Sequence, residues 1–503
     1  MIQLRNFSFS YGKSESANLS RVNIQVSAGD FVLVCGATGS GKSTLLKAIV
    51  GLAPHFTGGE VSGNRFLDGA DKTDALPHET AELIGFVNQQ PEGSFVAQTV
   101  EEELAFTLEQ LGIPVAEMRA RLVKALESTG LTELRDRKLS ELSGGQQQRV
   151  AIAAALSAGQ KVLVLDEPTS ALDPNAAHEL LDFIHALCRE QNLTAIVAEH
   201  RIERLIDLVD SVIVVSKDGT VAQGKPEDQL ARFDFVPPLL KLGQINNWSP
   251  LPLSIASARF LISIPEKFKQ VESHAQDKVS INLDGLSVSY GPVIALAGIS
   301  FAANQGEVVA VMGENGSGKT SLLWKLWNEL PDAALVPQQA TDLLFLNSLS
   351  AEFAESDEVA GAAPTSTAKL FEEFAGRIDA SVHPRDLSSG QQLALVLAIQ
   401  LVKKVEVVLL DEPTRGLDYA AKQHVAQVLR QLASQGKTVI FASHDVEFVA
   451  LTADRVVQLS KGEVVSDNPV TTALGHHGIF ATQIAQIYQT DGLIALGQLV
   501  ANE

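Results

Sequence analysis

Short β-branched or Leu-rich runs alternate along the chain with stretches of helical period, which predicts a mainly parallel sheet with helices on both faces. In the first half, Phe31 to Cys35, Phe86 to Asn88, Val162 to Asp166 and Thr194 to Ala198 read as strands. Helix starts are marked by capping boxes at Thr99-x-x-Glu102 and Ser143-x-x-Gln146, and by Asp173-Pro174, an N-cap followed by proline at the first helical position. Trp324 and Trp327, three residues apart, read as a helix face packed on the sheet.

The same pattern occurs twice. Tyr11-Gly12 recurs as Tyr290-Gly291, GATGSGKST at 36 as GENGSGKTS at 313, and VNQQ at 87 as VPQQ at 336. LSGGQQ at 142 recurs as LSSGQQ at 387, VLVLDEPT at 162 as VVLLDEPT at 407, and His200 as His444. The copies lie 277 residues apart at the glycine-rich loop but 249 apart at the glutamine. The second copy is therefore 28 residues shorter in that interval, where the first holds GGEVSGNRFLDGAD, a stretch of short strands and Gly turns. The expected organisation is a first domain over 1–235, a linker over 236–278, a second domain with a shortened β-subdomain over 279–465 and a C-terminal extension over 466–503. The linker has several prolines and no strong period, and the extension includes one short helix, Phe480 to Tyr488.

Composition narrows the function. A chain of 503 residues, against about 150 per domain, suits two large domains. A net charge of −21 gives no general attraction to nucleic acid or anionic lipid. The apolar content of 45% belongs in buried strands, because no clean apolar run approaches the roughly 18 residues of a spanning helix. The N-terminus lacks a basic region followed by an apolar stretch, so no signal peptide is expected. Cys35 and Cys188 sit in apolar stretches that read as core, which fits a reducing cytoplasm. The pair His476-His477, within GHHG, reads as a solvated turn rather than a metal site.

G-x-x-x-x-G-K-[ST] occurs at Gly36 to Ser43 and at Gly313 to Thr320, each after an apolar strand and before a helical run. Such a loop turns backbone N–H groups on phosphate at a helix N-terminus; Lys42 and Lys319 add charge, and Ser43 and Thr320 offer a hydroxyl to Mg²⁺. Asp166 and Asp411 end buried strands where each can hold a metal shell, and Glu167 and Glu412 follow as candidates to polarise water. Ser143-Gly144-Gly145-Gln146 and Ser388-Ser389-Gly390-Gln391 each open a helix that favours an anion.

Together these motifs resemble a duplicated nucleotide-binding domain of the ATP-binding cassette (ABC) superfamily, over about 1–232 and 279–465. The resemblance implies an α/β fold of two P-loop NTPase domains in tandem, each with a mainly parallel core, a small antiparallel β-subdomain and a helical subdomain. It implies ATP hydrolysis with Mg²⁺, ATP being held by Gly36, Ala37, Thr38, Gly39, Ser40, Gly41, Lys42, Ser43 and Thr44 in one loop. Gly313, Glu314, Asn315, Gly316, Ser317, Gly318, Lys319, Thr320 and Ser321 form the other. Each LSxGQ segment caps the nucleotide held by the opposite domain, so the two halves pair within one chain. Gln89 and Gln338 match the glutamine that reaches Mg²⁺ and the attacking water, with Ser43, Thr320, Asp166 and Asp411 completing the metal set. His200 and His444 match the γ-phosphate histidine, Tyr11 and Tyr290 the aromatic that stacks on adenine, and Asp173 and Asp418 the loop that bridges the sites.

Three details are similar to the fused ATPases of energy-coupling-factor (ECF) importers: AEHR at 198 in place of SHD, EPTRGLD at 412 and the tail FATQIAQIYQTDGLIALGQL. This likeness implies uptake of a vitamin or metal ion, a peripheral place on the cytoplasmic face of the membrane and integral membrane subunits that dock through coupling helices. Phe95 and Phe345, with Leu344, are then expected to be exposed for those helices. Neither nucleic-acid binding nor membrane insertion is expected. A soluble, non-transport ABC ATPase of translation or regulation is the alternative.

Overall fold

The computed structural model describes residues 1–12, 17–170, 172–233, 236–265, 267–478 and 480–499. It divides into two units, Met1–Ser254 and Ile255–Glu503. The parts of the expected first domain, linker and extension that fall at 234–235, 266, 479 and 500–503 lie outside the described residues.

In the first unit, β1 (Ile2–Ser10), β2 (Leu19–Val26), β4 (Glu60–Leu67) and β5 (Ala70–Asp71) form an antiparallel sheet in the order β2-β1-β4-β5. A second sheet runs β10-β9-β3-β8-β7-β6, from β3 (Phe31–Cys35), β6 (Ile84–Val87), β7 (Val162–Asp166), β8 (Thr194–Ala198), β9 (Ser211–Val215) and β10 (Val221–Gly224). Its strands are parallel except β10, and β3, β7 and β8 are buried along their whole length. The strand expected at Phe86 to Asn88 begins two residues earlier, because Ile84 and Gly85 still pair with Val162 and Leu163.

The second unit repeats the large sheet with the same connectivity. Its order is β14-β15-β16-β13-β17-β18, from β13 (Val308–Met312), β14 (Ala333–Val336), β15 (Val407–Asp411), β16 (Thr438–Ala442), β17 (Arg455–Ser460) and β18 (Glu463–Pro469). Its antiparallel sheet has two strands, β11 (Val279–Tyr290) and β12 (Val293–Asn304), against four in the first unit.

The missing interval explains a departure from expectation. In the first unit α1 (Lys42–Val50) packs Ile49 and Val50 into the same apolar cluster as Leu67 of β4. Arg65 of β4 is fully buried and donates to the carbonyls of Ile49, Lys72 and Ala75, tying the end of α1 to the hairpin. In the second unit α7 (Lys319–Glu329) runs through a short turn into β14, and Trp324 and Trp327 are exposed, edge to face with each other at 5.5 Å.

Local signals are otherwise followed. Thr99 caps α2 (Val100–Gln110) with a reciprocal Glu102 contact, and α3 (Val115–Thr129) packs with it on α4 (Gly144–Ser157). Asp173 accepts from Ala176 N at the start of α5 (Pro174–Gln191). The proline-rich stretch after 236 opens with a helix, Pro237 and Pro238 standing at the N-cap and first position of α6 (Pro238–Ile245), and apart from a short helical turn at Ile255–Arg259 its other described residues to 278 hold no regular element. Proline there starts a helix, since its missing N–H has no helical partner to lose. In the tail, Thr482 caps α11 (Gln483–Tyr488), so the helix begins later than Phe480. The second unit's counterparts of α2, α4 and α5 are α8 (Leu349–Val359), α9 (Ser389–Leu401) and α10 (Tyr419–Ser434). Both cysteines are buried, and burial pushes each thiol up to about 12.

Candidate functional site

The glycine-rich loops leave the C-terminal ends of β3 and β13. A Cβ at Gly36 would sit 2.2 Å from Val215 O, and one at Gly313 2.3 Å from Leu459 O, so no side chain fits where the strand turns. Gly41 and Gly318, with φ 103° and 105°, cap α1 and α7 in the left-handed region. Buried Lys42 donates to Gly36 O at 3.0 Å and Ala37 O at 3.2 Å, while Lys319 donates to Gly313 O at 2.8 Å and Glu314 O at 3.0 Å. Each loop is thus wrapped around its own lysine at a helix N-terminus, a geometry that binds phosphate.

The acidic residues meet these loops. Ser43 donates to Asp166 at 3.1 Å, and Thr320 to Asp411 at 2.8 Å. Burial pushes both aspartates above the ordinary carboxylate range, only partly offset by these hydroxyls, and the neighbouring glutamate pushes the same way. Glu167 and Glu412 both have φ +49° and donate their N–H across the sheet to Ala198 O and Ala442 O at 3.0 Å. That conformation swings each side chain off the strand direction toward the histidine. His200 Nε2 stands 2.7 Å from Glu167, and His444 Nδ1 2.9 Å from Glu412. Burial alone would raise Glu167, but the bond and charge of His200, with Lys42, hold it net below the usual range. Gln89 donates to Glu167 at 2.8 Å; Gln338 is exposed on its loop.

Sequence reasoning missed how the histidines are supported. Glu199, buried beside His200, accepts from Thr169 N at 3.2 Å, from the Thr169 hydroxyl and from His200 N at 3.2 Å, and Arg204 reaches the same hydroxyl at 2.8 Å. Burial raises the Glu199 carboxyl despite Arg204. Beside His444 the device differs: buried Lys422, in the first turn of α10, pairs with buried Asp445 at 2.7 Å. The unusual AEHR spelling was the available signal.

Ser143 and Ser388 are the N-caps of α4 and α9, accepting from Gln146 N and Gln391 N at 3.4 Å, while both glutamines accept from the serine N–H in return. Gly144, Gly145, Ser389 and Gly390 form the first turns. Asp418 caps α10 as Asp173 caps α5. Tyr11 packs edge-on against Phe9 at 4.7 Å with its hydroxyl 3.1 Å from Thr44, so its ring is engaged with its own sheet; Tyr290 is exposed.

Of the apolar residues expected to be exposed in the contact loops, Phe345 is, while Phe95 and Leu344 are not. Phe95 packs on the cluster of α2 to α4, and Leu344 is buried at 4% exposure. The residues that point outward are Val96, 65% exposed, and Phe345, 79% exposed. The cause is the same in both units: Glu103 accepts from Val96 N and Ala97 N at 2.9 Å, and Glu352 from Phe345 N at 2.7 Å and Leu346 N at 2.8 Å. Both carboxylates are buried.

The family model for the ABC transporter matches residues 19–170 and again 296–415. A Streptomyces avermitilis protein named "Putative ABC transporter ATP-binding protein" is 38% identical, with 97% of each chain covered. A Treponema denticola protein of the same name is 31% identical over 93% of this chain and 97% of its own. Among solved structures, an archaeal ribosome recycling factor bound to a ribosomal stalk protein aligns with TM-score 0.61 at 22% identity, over 93% of this chain and 90% of that one, a likeness of fold. No helix among the described residues is long and apolar enough to cross a membrane. Two phosphate loops, each joined to an Asp-Glu pair and a histidine, and relatives matched along nearly their whole length make this chain a member of the ABC family, a nucleotide-hydrolysing ATPase with two cassettes in tandem.

Proposed function

We propose that this chain is the motor subunit of a membrane importer, of the ECF type that takes up a vitamin or metal ion, on the cytoplasmic face of the membrane. In each unit the phosphate loop binds ATP. The all-oxygen set of Ser43 with Asp166, and of Thr320 with Asp411, fits Mg²⁺, with Gln89 and Gln338 as outer members. Bound there, the ion would neutralise phosphate charge and relieve the cost of a buried carboxylate. Glu167 and Glu412 accept a proton from the attacking water as its oxygen bonds to the γ-phosphorus and the bond to the ADP oxygen breaks. His200 and His444 hold those carboxylates in place and lie ready for the γ-phosphate. Ser143 and Ser388, at their helix starts, would cap the nucleotide of the opposite unit, so that ATP closes the pair and hydrolysis reopens it.

The observation that carries the transport reading is the matched pair of loops in which a buried glutamate turns Val96 and Phe345 outward. An apolar side chain held in water by a built device suits a covering partner, here a short coupling helix of a membrane subunit. The test is a pull-down from detergent extract with wild type and a Val96→Asp, Phe345→Asp double variant. Recovery of an integral membrane subunit by wild type alone supports the reading. Equal recovery by the variant, or recovery of ribosomes instead, overturns it.

A further inference from the structure

Gly475 to Gly478 form a tight turn beyond β18, with Gly478 N donating to Gly475 O at 2.8 Å. A Cβ at Gly478 would lie 2.5 Å from Ala473 O, so glycine keeps the turn closed. The turn carries His476 and His477 with ring centroids 3.8 Å apart, both rings on one side. The fold brings a third group to them from the far side of α11. Thr482, the cap of α11, donates its hydroxyl to Ile494 O at 2.7 Å, and buried Leu474, Leu493 and Ile494 fix the two segments. Asp491, two residues before Leu493, thereby faces the histidines.

One ligand atom from each of His476, His477 and Asp491 lies within 4.8 Å of the others. His476 Nδ1 is buried and has no hydrogen-bond partner among the described residues. Its nearest carboxylate oxygen, on Asp491, is 3.6 Å away, too far for a hydrogen bond. A buried nitrogen facing a carboxylate beyond bonding range leaves room for a third body between them. Ligand bonds of about 2 Å to each would bridge that gap.

We propose that His476, His477 and Asp491 form a site for one borderline divalent transition-metal ion, of the Zn²⁺, Co²⁺ or Ni²⁺ class, which clips the turn to the loop before Leu493. Two imidazoles and one carboxylate are the donor set such ions favour, whereas Mg²⁺ and Ca²⁺ prefer oxygen alone. The site uses no residue of either phosphate loop and stands independently of the transport reading. The experiment is isothermal titration of the tag-free, chelator-treated, nucleotide-free full chain with Zn²⁺, and with Co²⁺ followed by its visible absorption. His477→Ala and Asp491→Asn are the variants; both side chains are largely in solvent, Asp491 at 92% exposure, so the fold is retained, as circular dichroism checks. The expected result is one equivalent bound by wild type and affinity weaker by about tenfold or more in each variant. Absence of saturable binding to wild type, or unchanged affinity in either variant, overturns the site.

Discussion

The two cassettes hold the same reacting groups on different supports. Ser43–Asp166 and Thr320–Asp411, the lysines inside their loops, and the left-handed Glu167 and Glu412 are near copies. Around them the first unit has a four-stranded sheet locked by Arg65 and a histidine braced by Glu199, while the second has two strands and a Lys422–Asp445 pair. Placement at the C-terminal ends of buried parallel strands fixes the chemistry; what braces those ends is interchangeable.

The sharpest way to break the comparison is to silence the two glutamates. Glu167→Gln with Glu412→Gln should bind ATP but lose steady-state turnover by about 100-fold or more, as expected for removal of a general base. Each single variant should keep the other unit's turnover, and single-turnover assays should give unequal rates, because Ser389 stands in the segment proposed to cap the first unit's nucleotide while the trimmed sheet belongs to the second unit. A single variant as dead as the double would show that the cassettes are not two working sites.

Next in size is the brace of the second unit. Lys422→Ala removes the cation from a buried pair and should cost that unit about 3 kcal/mol, read from chemical denaturation, with the first unit's transition unmoved. Arg65→Ala should do the converse in the first unit, costing about 2 kcal/mol through three carbonyls that lose a charged donor. A common shift of both transitions in either variant would mean that the braces are shared.

The smallest effect is on pH dependence. Burial raises the Glu199 carboxyl in the folded state, so its contribution to stability is fully present below the ordinary carboxylate range and is lost as pH rises through the raised value. Glu199→Gln keeps an acceptor for Thr169 and should flatten the fall of the first unit's denaturation midpoint as pH rises above the ordinary carboxylate range. A curve as steep as wild type would assign that dependence elsewhere.

Much of this was legible in the sequence because the information was local. Continuous apolar runs before GxxxxGK and before DE mark strand ends, and caps such as Thr99-x-x-Glu102 name their own partners. What escaped depended on distant contacts. Whether Phe95 or Val96 faces water is set by Glu103 seven residues on, and whether the tryptophans are covered is set by a hairpin the second unit lacks. Asp491 meets His476 only because α11 folds back between them. That Pro237 and Pro238 start a helix within the 236–278 stretch was likewise not legible, because proline's effect depends on its helix position.

The left-handed backbone of Glu167 and Glu412 sets function against durability. A side chain with a Cβ at φ +49° costs on the order of 1 kcal/mol that glycine would not incur. Glu167→Gly would release that strain but leave His200 and Gln89 without their shared partner, so the cassette should lose turnover without gaining stability. The same bonds that prepare each glutamate for water thus hold its backbone in a conformation it would not choose alone.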